Sequence, residues 1–136
     1  GGIRKFETAG LSIFGLEFVE MDMKHLLNSQ AVSFRPMHLK VILYNMLCCL
    51  NFLHSTGIMH RDIKPSNFLL TSESTVKLCD FGLARSIVSD SKNSRCVTPI
   101  RATRYYRSPE VILLKNYDLK TDIWGVGCVF YELIKY

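Results

Sequence analysis

Between about Ser33 and Ser55 the residues Leu39, Ile42, Leu43, Met46, Leu47, Leu50 and Leu53 recur at three- and four-residue intervals, the spacing of one helix face. The other faces carry Val41, Tyr44, Cys48 and Cys49, also fairly apolar, which predicts a helix buried on most sides. Gly57 supplies its stop. Short apolar pieces follow, Ile58–Met59, Phe68–Leu70 and Val76–Cys79, and the polar stretch from Thr71 to Thr75 predicts a small hairpin between the last two. The intervening loop is therefore carried on a rigid base of helix and hairpin, which is how functional groups are commonly mounted. Upstream, Leu11–Val19 is rich in Ile, Phe and Val and predicts a buried strand, and Asp22–Leu27 predicts a short helix. Downstream, residues 82–108 have little periodicity and predict a long loop. A helical turn is expected after Pro109, then a second apolar helix over Asp122–Ile134 with Trp124 in the core.

Composition narrows the classes. A chain of 136 residues with 48% hydrophobic and 11% aromatic residues can build one sizeable core. Charged residues make up 21% of the chain and are dispersed, which excludes a disordered tail. The net charge of +5 comes from Lys and Arg scattered along the chain rather than striped on one helix. That argues against nucleic acid as a partner and leaves a phosphate-bearing ligand open. Cys48, Cys49, Cys79, Cys96 and Cys128 are odd in number and form no C-x-x-C pair, so neither a disulfide framework nor a zinc site is expected. Reduced thiols suit a cytoplasmic or nuclear protein. The apolar run Val41–Leu50 is interrupted by Asn45 and is expected to be too short to span a bilayer, so no membrane partner is expected. The chain starts at Gly1 and stops at Tyr136 inside a helical pattern, which reads as truncation at both ends.

One loop concentrates chemistry. Phosphoryl transfer needs a carboxylate to accept or orient the attacking hydroxyl's proton, a cation on the transferred phosphate, and oxygen ligands for magnesium. His60-Arg61-Asp62-Ile63-Lys64-Pro65-Ser66-Asn67 supplies a carboxylate, an ammonium and an amide together. Asp80-Phe81-Gly82 follows directly after the strand Val76–Cys79, and a carboxylate at a strand end before Gly can hold a metal. Taken singly, each residue would be an ordinary turn residue or solvated charge. Three motifs in the right order, with Ser108-Pro109-Glu110 as the third, leave that bland reading little room.

The stretches His60–Asn67, Asp80–Gly82 and Ser108–Glu110 resemble the H-R-D-x-x-x-x-N, D-F-G and A-P-E motifs of eukaryotic protein kinases. The resemblance implies an α+β kinase fold, with residues 1–22 as the last strand of the N-lobe and the hinge, and 23–136 as the C-lobe through the start of its central helix. It implies ATP and Mg2+ as cofactors. Asp62 would handle the hydroxyl proton, Lys64 would neutralise the γ-phosphate, and Asn67 with Asp80 would hold the metal. Lys64, and Thr103 facing the catalytic loop, fit a Ser/Thr rather than a Tyr specificity. In the same frame Glu17, Phe18 and Val19 would offer backbone groups to adenine, with Leu16 as gatekeeper; each is equally compatible with plain core. Asp22 matches an acidic residue near the ribose and is as readily a helix N-cap. Asp122 matches the acid that ties down the catalytic loop's backbone, a role compatible with its being a helix N-cap or first-turn acid.

The segment Ala102-Thr103-Arg104-Tyr105-Tyr106-Arg107 is similar to the T-R-W-Y-R stretch of the CMGC group, and most like the mitogen-activated kinases. Arg104 then implies a preference for proline after the phosphoacceptor. Activation in that group adds a phosphate that pairs with arginines; Thr98 is in the matching position, with Ser94 second and Arg61 and Arg85 as partners. Ile100 stands where the mitogen-activated pattern has tyrosine, so activation at a single site is expected. Protein substrates and an upstream activating kinase are the implied partners. No Gly-rich loop, strand Lys or helix Glu precedes Leu11, and the Arg that would pair with Glu110 would lie beyond Tyr136. Two readings follow: part of a longer active kinase, or a catalytically silent kinase-like binding module. The intact set at 62, 64, 67 and 80 favours the first. The 136 residues alone are expected to be almost inactive. A small-molecule kinase shares a similar Asp-to-Asn loop but has no activation segment, which residues 82–110 supply here.

Overall fold

The structure is a computed structural model describing residues 4–8, 11–15, 17–19, 21–29, 33–71, 73, 75–87 and 104–135. Strands β1 (Arg4–Thr8) and β2 (Leu11–Gly15) form an antiparallel ladder, in register from Arg4↔Gly15 to Thr8↔Leu11. Of the strand expected over Leu11–Val19, the part Leu11–Gly15 is present, and Leu16 lies outside the described residues. Glu17–Val19 are outside any strand, and Phe18 is 85% exposed, which rules out plain core for that side chain.

Strand β3 (Met21–Asp22) leads into helix α1 (Met23–Asn28), whose N-cap is Asp22, with Oδ1 accepting the His25 amide at 2.7 Å. The side chain satisfies an amide that has no partner inside the helix. Helix α2 (Pro36–Ser55) opens on Pro36, whose missing N–H costs nothing at a first turn. It ends at Gly57, which has φ 70 and donates its amide to the His54 carbonyl.

Burial of α2 differs from expectation. Ile42, Met46, Leu50 and Leu53 form a buried stripe, whereas Tyr44, Phe52 and Met37 are largely exposed. The reason is geometric: the strands β4 (Ile58–Met59) and β6 (Val76–Leu78) and helix α4 (Lys120–Lys135) all meet α2 along that one stripe. By length and composition α2, at mean hydropathy 1.2, also reaches what a membrane span requires, contrary to the expectation from Val41–Leu50. Its stripe is instead part of a core shared with Met23, Phe68, Val76, Val126 and Val129. Full burial of a side chain such as Phe68 contributes about 1.5–3 kcal/mol.

The expected hairpin is present. Strand β5 (Phe68–Leu70) pairs antiparallel with β6, which ends at Leu78, and β3 pairs on the other side to give the order β3-β5-β6. Within the stretch expected as a long loop, β7 (Arg85–Ser86) pairs with β4, and Arg104–Tyr106 forms a 3₁₀ turn. Helix α3 (Pro109–Ile112) follows, and α4 begins at Lys120, so Asp122 lies in its first turn rather than at its cap. Trp124 is 48% exposed, a correction to its expected core position, because α4 turns Asp122, Gly125, Val126, Val129 and Leu133 inward and leaves 124 on the flank.

Gly125 decides how closely α4 approaches the polar loop. A Cβ built there would lie 2.7 Å from Ile63 Cβ and 2.9 Å from its Cγ2, inside any tolerable contact. Gly127, two residues further along α4, would meet nothing within 4 Å. Gly125→Ala is therefore expected to destabilise the fold by about 1–3 kcal/mol through overpacking, while Gly127→Ala is neutral or slightly stabilising; urea unfolding midpoints of the two variants decide it.

Candidate active site

The loop between β4 and β5 is held from below by one carboxylate. Asp122, 1% exposed, accepts the His60 amide on Oδ2 and the Arg61 amide on Oδ1, each at 2.9 Å. His54, in the last turn of α2, adds its Nε2 to Asp122 Oδ2 at 2.8 Å, and as a carboxylate only accepts, the ring donates. Nothing in the sequence reading pointed to His54, although a histidine ending an otherwise apolar helix is a visible signal.

The reward for this anchoring is a backbone that would otherwise relax. Arg61 has φ 70 and Asp80 has φ 61, conformations that cost L-residues on the order of 1–3 kcal/mol and persist where surroundings enforce them. At Asp80 the carboxylate helps itself, with Oδ1 accepting the Gly82 amide at 3.3 Å. A Cβ at residue 82 would sit 3.2 Å from that oxygen, so glycine keeps the carboxylate uncrowded.

Asp62, Lys64 and Asn67 interlock. Lys64 Nζ lies 2.6 Å from Asp62 Oδ2, and Asn67 Nδ2 donates to the Asp62 carbonyl at 2.8 Å and to Oδ2 at 3.2 Å. Asp62 and Asn67 are buried, and Lys64 is partly so. With its nitrogen committed to Asp62, the Asn67 amide has its oxygen end left for a ligand. The 3₁₀ turn Pro65–Asn67 tightens the loop enough to bring residue 67 back to residue 62.

Hairpin register then brings in Asp80. Phe68 opposes Leu78, and the ladder continues with the Cys79 amide donating to the Asn67 carbonyl at 2.9 Å. Cys79 reports on its surroundings: burial first, then the charges of Asp80 and Asp22, push its thiol up, against a lowering by Lys64. Its Sγ also lies 3.4 Å from the Asn67 carbonyl. Asn67 is thus in direct contact with Cys79, and the charges of Asp22, Lys64 and Asp80 all reach a side chain noted from the sequence only as a thiol. His60 closes the group, with Nε2 at 3.0 Å from the Cys79 carbonyl and its ring edge-on to Phe81 at 5.1 Å. Its Nδ1 accepts the Asp62 amide at 3.3 Å, so the ring proton is assigned to Nε2.

Other expected site residues are less concentrated. Glu17 spends its carboxylate on Lys77 of β6, whose hydrogen bond and charge hold the Glu17 carboxyl below its usual range. With Phe18 and Val19 it lines an open cleft of about 560 Å³ toward Leu70, Thr71 and Thr75, none of whose lining residues is Asp62, Lys64, Asn67 or Asp80. Arg61 is buried, whereas Arg85 is exposed on β7, its backbone paired with Met59. Arg104 is exposed in its 3₁₀ turn. Two residues on, burial and a hydrogen bond to Glu132 push the Tyr106 phenol up, tying this turn to α4. Thr98, Ser94, Thr103 and Leu16 lie outside the described residues. Ser108, fully buried, bonds Thr121 at 3.3 Å, and Thr121 bonds Glu110 at 3.4 Å, joining α3 to the start of α4.

A helix-supported loop with an Asp–Lys–Asn set, joined through a hairpin to an Asp before Phe-Gly, defines a protein kinase catalytic core. The comparison with known families agrees: residues 3–136 match the protein kinase domain, and the chain belongs to that family. Among individual relatives it is 40% identical over 132 residues to mitogen-activated protein kinase PMK1 of Pyricularia oryzae, covering 96% of this chain and 36% of that protein. It is 43% identical over 119 residues to stress-activated protein kinase jnk-1 of Caenorhabditis elegans, covering 88% and 22%. A chain of the yeast RNA Pol II CTD kinase CTDK-1 complex superposes with a TM-score of 0.83 at 33% identity, over 98% of this chain and 43% of that one. The similarity to mitogen-activated kinases and the α+β kinase fold are thereby shown, and the chain spans about a third or less of the curated relatives' length.

Because Asp122 satisfies buried amides that have no other partner among the described residues, Asp122→Asn, which turns an N–H2 group toward donors, is expected to cost about 1–3 kcal/mol per unpaired amide. Amide hydrogen exchange at His60 and Arg61 should accelerate in that variant; unchanged protection would contradict the anchoring role.

Proposed function

We propose that the protein containing this chain transfers the γ-phosphoryl group of ATP to Ser or Thr hydroxyls of protein substrates. In the transfer the hydroxyl oxygen forms the new P–O bond, the bond to ADP breaks, and Asp62 accepts or orients the hydroxyl proton. Lys64, already beside Asp62, offers its charge to the transferred phosphate. Asn67 and Asp80 would hold Mg2+: an amide oxygen and a carboxylate are the hard donors that ion takes, and glycine at 82 leaves the carboxylate room. Bound there, the ion would neutralise charge on the phosphates. Asp22 is proposed beside the ribose, and the backbone of Glu17–Val19 beside adenine.

The observation that carries this reading is the interlock of Asp62, Lys64 and Asn67, with Asp80 one residue beyond the Cys79–Asn67 hydrogen bond. Arg104 supports a proline-directed substrate, and Thr103 a Ser/Thr acceptor. Activation by an upstream kinase at Thr98 is proposed, with Arg61 and Arg85 receiving the phosphate. The free thiols of Cys48, Cys49, Cys79 and Cys128 suit the reducing cytoplasm or nucleus.

In the full-length protein, Asp62→Asn is expected to lower kcat by about 10²–10⁴-fold with little change in the KM for ATP. Asp80→Asn should raise the Mg2+ concentration needed for half-maximal rate. Thr98→Ala should abolish the gain on treatment with an activating kinase, and a peptide array should favour proline after the acceptor. An Asp62→Asn protein as active as wild type ends the proposal.

A further inference from the structure

We infer that Tyr117 is a positioning residue of the catalytic loop: its ring carries the guanidinium of Arg61 and thereby steadies the backbone that presents Asp62. The inference rests on the kinase reading above for its kinetic consequence, though not for the contact itself. Arg61 is 7% exposed, and its Nε is buried with no hydrogen-bond partner. Among the described residues no carboxylate forms an ion pair with it. A desolvated cation without a counter-charge is costly unless something replaces water. Here the Tyr117 ring does so, its centroid 5.6 Å from the guanidinium carbon, within range of the ring's attraction for a cation.

The contact matters because of where Arg61 stands. It directly precedes Asp62 and has φ 70, so the loop's course at the catalytic carboxylate depends on how firmly residue 61 is held. Asp122 holds its amide at 2.9 Å. Tyr117 holds the far end of the same side chain from the segment between α3 and α4. The stretch 117–122 therefore grips Arg61 at both its amide and its guanidinium.

The test uses the full-length protein with Tyr117→Phe, then with mono- and trifluorinated phenylalanine at 117, which weaken the ring's negative face while nearly preserving its shape. Tyr117→Leu removes the ring, and the Arg61 Nε–Hε resonance is followed by NMR. We expect Tyr117→Phe to match wild type within about twofold, and kcat to fall about tenfold from Phe to the trifluorinated ring. The KM for ATP should stay constant across the series and the melting temperature should fall by no more than a few degrees, leaving every variant folded at the assay temperature, which a merely structural role would not predict alongside a falling kcat. In Tyr117→Leu the Arg61 resonance should move. A flat kcat across the fluorinated series, or an unmoved resonance, overturns the inference. If wild type itself transfers no phosphate, the kinase reading falls separately, and the resonance alone decides whether the ring carries Arg61. Should Tyr117→Leu not fold, the resonance across the near-isosteric series replaces it, with no shift counting against the inference.

Discussion

Everything at this site hangs from the Asp122 carboxylate. One buried side chain takes the amides of His60 and Arg61 and the ring of His54, so the end of α2, the start of α4 and the catalytic loop become one rigid unit. The groups it joins are separated by as many as 68 positions in the chain. Without that joint, an eight-residue polar loop with a left-handed residue in it would be an ordinary mobile connection. With it, Asp62 and Lys64 are held in a fixed geometry, the arrangement that the proposed phosphoryl transfer would need.

A second constraint lies in the hairpin. Its register is set by a short turn and by the buried Phe68 and Val76, and the register alone decides that Asn67 faces Cys79 and that Asp80 comes next. A slip of one residue would carry Asp80 away from Asn67 and turn Phe68 out of the core. Packing and function are therefore enforced by the same contacts, and the close approach of α4 to Ile63, possible only at a glycine, belongs to the same arrangement.

The readable parts of the sequence were those where local pattern and chemistry coincide. The three-and-four spacing marked α2, the polar break marked the hairpin, and the ordered motifs marked Asp62, Lys64, Asn67, Asp80 and Asp122. Misreadings arose where an answer depends on what lies opposite. Tyr44 and Val41 are apolar enough for a core, yet they are 69% and 40% exposed. Trp124 has a core residue's composition but sits on the flank of its helix.

By itself, then, the sequence determined the long helices and the hairpin, which groups can do phosphoryl chemistry and in what order they come, because propensity, periodicity and functional-group chemistry are local properties; the short strands β1 and β7 had no such signal. Only the tertiary structure decided which stripe of α2 is buried, that His54 shares Asp122, that Cys79 bonds the Asn67 carbonyl, and that a tyrosine lies against Arg61. Those are relations between residues far apart in the chain. They come into being only when packing brings one surface against another, and no single segment carries a record of its partner.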